Sequence, residues 1–200
     1  MEYFSFGTLL ETARYSHLDA MQASRRAFVL GDGDGRFLQK LLRCNRQIDV
    51  HAVDCSAGMV ALAKKRSASD GGSNRVQWTH ADALAWGPEG RCDLIVTHFF
   101  LDCFSTQQVA ELVARLVPHL EPGGLWVNSD FTIPASGLAR IAGWAIVRGL
   151  YAAFFVLTGL RTQRLPQDEA AFASAGLVLE ERTLLGGGLL KSEVWRKPAA

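Results

Sequence analysis

Ala27-Phe28-Val29-Leu30-Gly31-Asp32-Gly33-Asp34-Gly35-Arg36-Phe37 runs four apolar residues into alternating glycine and aspartate, and helical spacing then resumes from Arg36 to Arg43. A short apolar run stopped by glycine reads as a buried strand, and the sequel as a glycine loop opening a helix. Glycine in such a loop permits a tight turn and lets backbone N–H groups approach a ligand with no Cβ in the way. In an open α/β sheet, ligands bind outside the carboxyl ends of the strands, usually beside the first one.

Reading downstream, Ile48–Val53 is a second strand ended by Asp54, and Ser56 suits the cap of a helix reaching about Arg66. Ser67 to Arg75 reads as a surface loop, Val76–His80 as a third strand and Asp93–Thr97 as a fourth. Ser105 with Gln108 makes a capping box for a helix whose buried stripe is Val109, Leu112, Val113, Leu116 and Val117. Pro122-Gly123-Gly124 should turn the chain into a fifth strand, Leu125–Ser129. Pro166 suits the first turn of a helix ending at Ala175, with Gly176 after it. Leu177–Leu184 and Leu189–Trp195, separated by three glycines, read as a closing hairpin. Upstream, Thr8 and Glu11 form a capping-box pattern ahead of apolar residues at helical spacing.

Strands alternating with helices imply an α/β fold with a doubly wound, mostly parallel sheet and an antiparallel edge. The chain of 200 residues reads as a single domain, 1–200. Within it, residues 1–24 form an N-terminal helix flanking the glycine loop, and 134–165 form an apolar insertion. Its 21 basic and 20 acidic side chains leave a net charge of +1, which excludes a charge-driven nucleic-acid binder. The four cysteines show no C-x-x-C spacing, so no metal is expected; reduced thiols and the lack of a signal-like N-terminus point to a cytoplasmic protein. Ile141–Leu160 nearly reaches bilayer length, but Arg148 at its middle argues against a stable membrane span.

Asp54 follows Gly35 by 19 positions, at a strand end where its carboxylate can accept both hydroxyls of a ribose. Together the loop and Asp54 favour an adenosine-containing ligand. A dinucleotide loop would need glycine at position 36, which is Arg36, and Asp32 and Asp34 would repel a pyrophosphate. A ligand bearing ammonium and sulfonium charges suits those acids better, which points to S-adenosyl-L-methionine over NAD.

The Val29 to Phe37 stretch, Asp54, His80-Ala81-Asp82-Ala83, Asp93-Leu94-Ile95-Val96 and Leu120-Glu121-Pro122-Gly123-Gly124 occur in the order seen in class I S-adenosylmethionine-dependent methyltransferases. The chain resembles that family from about Ala27 to Trp195. The run His98 to Phe104 and the Gly187 to Trp195 ending look like its bacterial small-molecule branch. The resemblance implies a seven-stranded Rossmann-like methyltransferase sheet whose last strand alone is antiparallel. It gives Gly31 and Gly33 to the methionine end of the cofactor, Asp54 to the ribose, Cys55 and Met59 to the adenine border, and Asp82, beside Ala83, to the adenine amino group. Thr97 and His98 complete the expected cofactor contacts. Where the family usually has an acidic residue two positions before the first glycine, this chain has Val29, so either Asp32 or backbone carbonyls would hold the cofactor's amino group.

Methyl transfer is an in-line displacement, so the protein must align the reactants and, for a hydroxyl acceptor, remove a proton. His98 and Asp130 are the candidate bases, with Asp102 orienting His98 or contacting substrate. The Asn- or Asp-Pro-Pro-aromatic run typical of base and amide N-methylation is absent, since Thr97-His98-Phe99-Phe100 stands in its place. Phe100, Tyr151 and Phe155 would line a pocket for a small apolar or aromatic substrate, with Arg148 its available charge. These residues suggest O-methylation of a phenol, or of a carboxylate paired with Arg148. The alternatives are a nicotinamide-dependent oxidoreductase and a non-catalytic methyltransferase-like binding protein. The greasy insertion could serve a homodimer interface as readily as a pocket.

Overall fold

In a computed structural model, the described residues are 3–68, 73–134 and 165–199. They build a seven-stranded sheet of order β3-β2-β1-β4-β5-β7-β6. Its strands are β1 (Arg26–Leu30), β2 (Asp49–Asp54), β3 (Val76–His80), β4 (Cys92–His98), β5 (Leu120–Phe131), β6 (Val178–Leu185) and β7 (Leu190–Arg196). The first five are parallel, whereas β7 runs antiparallel to both β5 and β6. This is the expected doubly wound sheet with its antiparallel last strand.

Helices cover both faces because the central strands are apolar on both sides. On one face α2 (Arg36–Cys44) lays Phe37, Leu38, Leu41 and Leu42 against Val29, Val96 and Val127. The adjoining α3 (Ala57–Ala68) buries Val60 and Ala63. On the other face α4 (Thr106–Leu116) and α5 (Asp168–Ser174) pack Val109, Leu112, Val113 and Phe172 on Phe28, Ile95 and Trp126. The Ser105–Gln108 capping box is formed as expected. Between β3 and β4 residues 81–91 form no helix or strand, and a groove of about 450 Å³ is lined by residues that include Arg26, Asp49, His51 and Gln77. That groove lies at the starts of β1 and β2, away from the glycine loop.

Three boundaries depart from the sequence reading. The first helix, α1, spans Tyr3–Tyr15, so Thr8 lies inside it instead of capping it. Its position depends on tertiary contacts: the Ser129 hydroxyl donates to the Ala13 carbonyl (3.0 Å), and the His17 ring lies 3.1 Å from the Ser192 carbonyl. The Pro122-Gly123-Gly124 turn is absorbed into β5, which starts at Leu120. Cys92 pairs with Leu120 and Leu94 with Leu125, so the extra β5 residues bulge out. Gly123, at φ +79°, donates to the Lys197 carbonyl (2.8 Å), and Lys197 donates back to Gly124 (2.9 Å). Pro166 precedes α5 by two residues, outside its first turn. Among the described residues no helix is long and apolar enough to cross a membrane; Ile141–Leu160 lies outside them.

Candidate functional site

The carboxyl ends of β1, β2, β4 and β5 meet along one edge. Gly31 takes φ +66°, and a Cβ there would enter the Phe100 ring, which lies directly over the loop. Gly33, at φ +61°, has nothing within 4 Å of where a Cβ would stand, so the loop is open above it. Its N–H donates to Asp54 Oδ2 (3.2 Å), while Asp54 Oδ1 accepts from the Ser56 N–H (2.8 Å). The β2 carboxylate thereby fixes the height of the glycine loop and keeps lone pairs available for a ligand's hydroxyls.

The two loop aspartates have different fates. Asp32 Oδ2 accepts from the Leu38 N–H (3.0 Å) in the first turn of α2, and burial pushes its pKa up to about 7. Asp34 turns outward and pairs with Arg36 (2.8 Å) and Arg66 (2.9 Å). Of the two loop acids expected beside the ligand, Asp34 is thus engaged by arginines instead. Arg66 thereby ties the loop to α3.

Further along, Met59 is 42% exposed, which removes core packing as its purpose. Cys55 is also exposed, and the His80 ring lies 3.0 Å from its carbonyl. Asp82 is exposed and accepts from the Leu84 N–H (2.8 Å), whereas Ala83 is buried in the core and its carbonyl takes a hydrogen bond from Arg115 (2.6 Å). The Thr97 hydroxyl is consumed internally: it donates to Asn128 (2.9 Å) and accepts from Trp126 (2.9 Å).

Strand alternation separates the candidate bases. His98 is in register with Ser129 and faces α1 and α2, its ring edge-on to Phe37 at 4.4 Å. Both ring nitrogens are buried with no hydrogen-bond partner, and burial, with Arg14 and His17 adding to it, lowers the His98 pKa to about 3. Asp130 faces the opposite layer. There the Asp102 N–H donates to Asp130 Oδ2 (3.2 Å), and the two carboxyl groups hydrogen-bond each other. Burial pushes Asp102 up to about 6, and burial with the neighbouring Asp102 charge raises Asp130 well above the carboxylate range. The structure thus joins Asp102 to Asp130 and keeps both away from His98.

Phe99 leaves β4 with φ 52°, a left-handed conformation that a bulky residue adopts only under constraint. Its N–H donates to the Ser129 carbonyl (2.7 Å), its ring packs on Phe131 (5.4 Å), and the Arg14 guanidinium lies 5.2 Å from its centre. Arg14 is a residue the sequence reading missed, since α1 docks only through distant partners. Also missed was a charge cluster behind Asp130. Lys191 Nζ donates to Asp168 (2.9 Å) and Glu169 (3.3 Å) and lies 3.4 Å from Glu193, while Asn128 donates to Asp168 (3.0 Å). Lys191 and Glu193, two apart in an apolar strand, were a legible sign of charges facing inward. Arg148, Tyr151 and Phe155, expected at the substrate, lie outside the described residues.

Residues 28–124 match the family described as a methyltransferase domain. Trans-aconitate 2-methyltransferase of Azoarcus sp. (strain BH72) is 32% identical over 96 residues, 48% of this chain and 35% of that protein. The chain therefore spans about a third of that curated relative. An O-methyltransferase family protein from Burkholderia thailandensis superposes with a TM-score of 0.73 at 18% identity, over 97% of this chain and 56% of that one. N-methyltransferase NodS from Bradyrhizobium japonicum WM9, solved with S-adenosyl-L-homocysteine, gives 0.67 at 18% identity, over 94% and 88%. At such identities the two structures speak for the fold.

Proposed function

We propose, from the premise that this chain belongs to the class I S-adenosylmethionine-dependent methyltransferases, that it methylates an oxygen of a small, hydrophobic, hydroxyl-bearing acceptor. The cofactor, when bound, supplies a methyl group already activated on sulfonium. The chain's own residues then have to hold it, exclude water and take a proton. The open backbone at Gly33 and the Asp54 carboxylate suit the sugar and methionine parts, and exposed Cys55 and Met59 suit the rim of a base. Arg14 brings positive charge beside Asp32 at the loop mouth, where a methionine carboxylate needs it.

The observation that carries the acceptor chemistry is the Asp102–Asp130 pair at the ends of β4 and β5. Two buried carboxyls that share a proton hold it above the ordinary carboxylate range, so the ionised pair is a stronger base than a lone exposed carboxylate. His98, held near 3, is too weak a base for a phenol at neutral pH and suits a neutral contact instead. A hydroxyl donor is also electrostatically welcome beside that pair, whereas an anionic acceptor is repelled.

A carboxylate acceptor is the second reading, favoured by the relative whose printed name specifies trans-aconitate. Labelled S-adenosylmethionine offered with panels of phenols and of carboxylic acids separates the two. Transfer to phenols, lost in Asp130→Asn, supports the first; transfer confined to acids and indifferent to that substitution sinks it. Calorimetric titration showing NADH binding and no response to S-adenosylhomocysteine would remove the premise.

A further inference from the structure

Asp130 and Lys191 are direct cross-strand partners on β5 and β7, on the same face of the sheet. Lys191 nevertheless points its ammonium at Asp168, Glu169 and Glu193, not at Asp130. Asp168, at the start of α5, is held by Lys191 on one oxygen and by Asn128 on the other. Glu193 is fully buried and tied to Arg182 (2.6 Å) and to the Trp195 indole (3.0 Å). The cluster is closed by hydrogen bonds throughout, and the carboxyl pair sits at its edge. Resting on the reading above, we propose that Lys191 and Asp168 are positioning residues that set the proton affinity of the Asp102–Asp130 pair from opposite directions.

The charged and titratable groups around the pair all belong to this balance. The turn after β4 contributes Asp102 itself and the Cys103 thiol, 3.6 Å from the Asp102 carboxyl. From α5 come Asp168 and, beyond it, Glu169; from β7 come Lys191 and Glu193; from β6 comes Arg182. Carboxyls outnumber cations here, so the cluster favours a retained proton. The Lys191 charge favours ionisation of Asp130, and Asp168 both adds an opposing charge and draws the ammonium toward itself. Without Lys191 the pair would hold its proton more tightly. Without the Asp168 charge it would release that proton earlier and become a weaker base.

The test is carbon-13 carboxyl NMR titration of the full chain, with the pair's resonances identified by their loss in Asp130→Asn. Lys191→Met should raise the pair's midpoint by about one pH unit, Asp168→Asn should lower it by about the same, and Lys191→Arg should leave it in place. Midpoints that stay put in all three, or that move the same way in the Met and Asn variants, overturn the proposal. Should Lys191→Met not fold, Asp168→Asn decides alone by the sign of its shift. The acid limb of kcat/KM against pH should follow the same shifts. NMR midpoints that move while the rate profile does not would refute the base assignment above and leave this balance standing.

Discussion

The half of the sheet built on β1, β2 and β3 and the half built on β5, β6 and β7 solve the placement of charge in opposite ways. In the first, Asp54 and Asp32 bind backbone N–H groups, Asp54 those of Gly33 and Ser56 and Asp32 that of Leu38, while Asp34 alone among these acids takes arginine partners. In the second, side chains bind side chains across long stretches of sequence, as Asp168 does with Asn128 and Lys191. Backbone-tied acids form a rigid cradle for a fixed ligand. Side-chain clusters can be tuned residue by residue, which would suit the acceptor side of the site proposed above.

Substitutions should separate the halves. Asp130→Asn is expected to lower kcat by about a thousandfold while leaving S-adenosylhomocysteine affinity intact, as measured by turnover and calorimetry. Asp54→Ala should do the converse, weakening that affinity about a hundredfold through lost charge-assisted hydrogen bonds. If Asp54→Ala left affinity unchanged, or Asp130→Asn abolished it, the division of labour would fail.

The same contrast explains what could be read in advance. The cradle is local: its loop, strand ends and acids lie between Ala27 and His98, within reach of glycine spacing and strand periodicity. The family match over residues 28–124 covers the same ground. The half proposed to meet the acceptor depends on residues that only β-pairing brings together. Asp102 is expected from sequence to orient His98 or contact substrate, yet strand alternation sends His98 and Asp130 to opposite faces and Asp102 lies with Asp130. The β5 bulge was hidden likewise, since its glycines are paired to residues following β7.

Smaller effects sharpen the picture. Gly31→Ala should cost about 2 kcal/mol in denaturant unfolding, part from its positive φ and part from the Phe100 ring. Adding Phe100→Ala should restore the steric part only; full recovery would show the backbone conformation to be unstrained. Arg14→Gln should raise the dissociation constant for S-adenosylhomocysteine about threefold, the size expected of a partly exposed charge contact. Its failure to change affinity would return α1 to a purely structural role.

The smallest is a pH effect. Asp32 binds its proton more tightly folded than unfolded, because its pKa is raised from 3.8 to about 7. Its stabilising contribution is complete below the unfolded value and disappears as pH rises through about 7. Asp32→Asn, whose amide oxygen can still accept from Leu38, should therefore melt about 2–4 °C above the parent at pH 8 and level with it near pH 4. An equal gain at both pH values would locate the benefit elsewhere.

The strand order has a consequence for how the chain reaches this state. β7 follows β6 in sequence yet sits between β5 and β6, so during synthesis that edge of β5 waits without its neighbour while β6 is made. An unpaired apolar edge invites wrong partners. Lys191 and Glu193 restrict how β7 can pair. A slip of one residue would thrust both charges into the opposite apolar layer, away from Asp168 and Arg182, which disfavours that misregister.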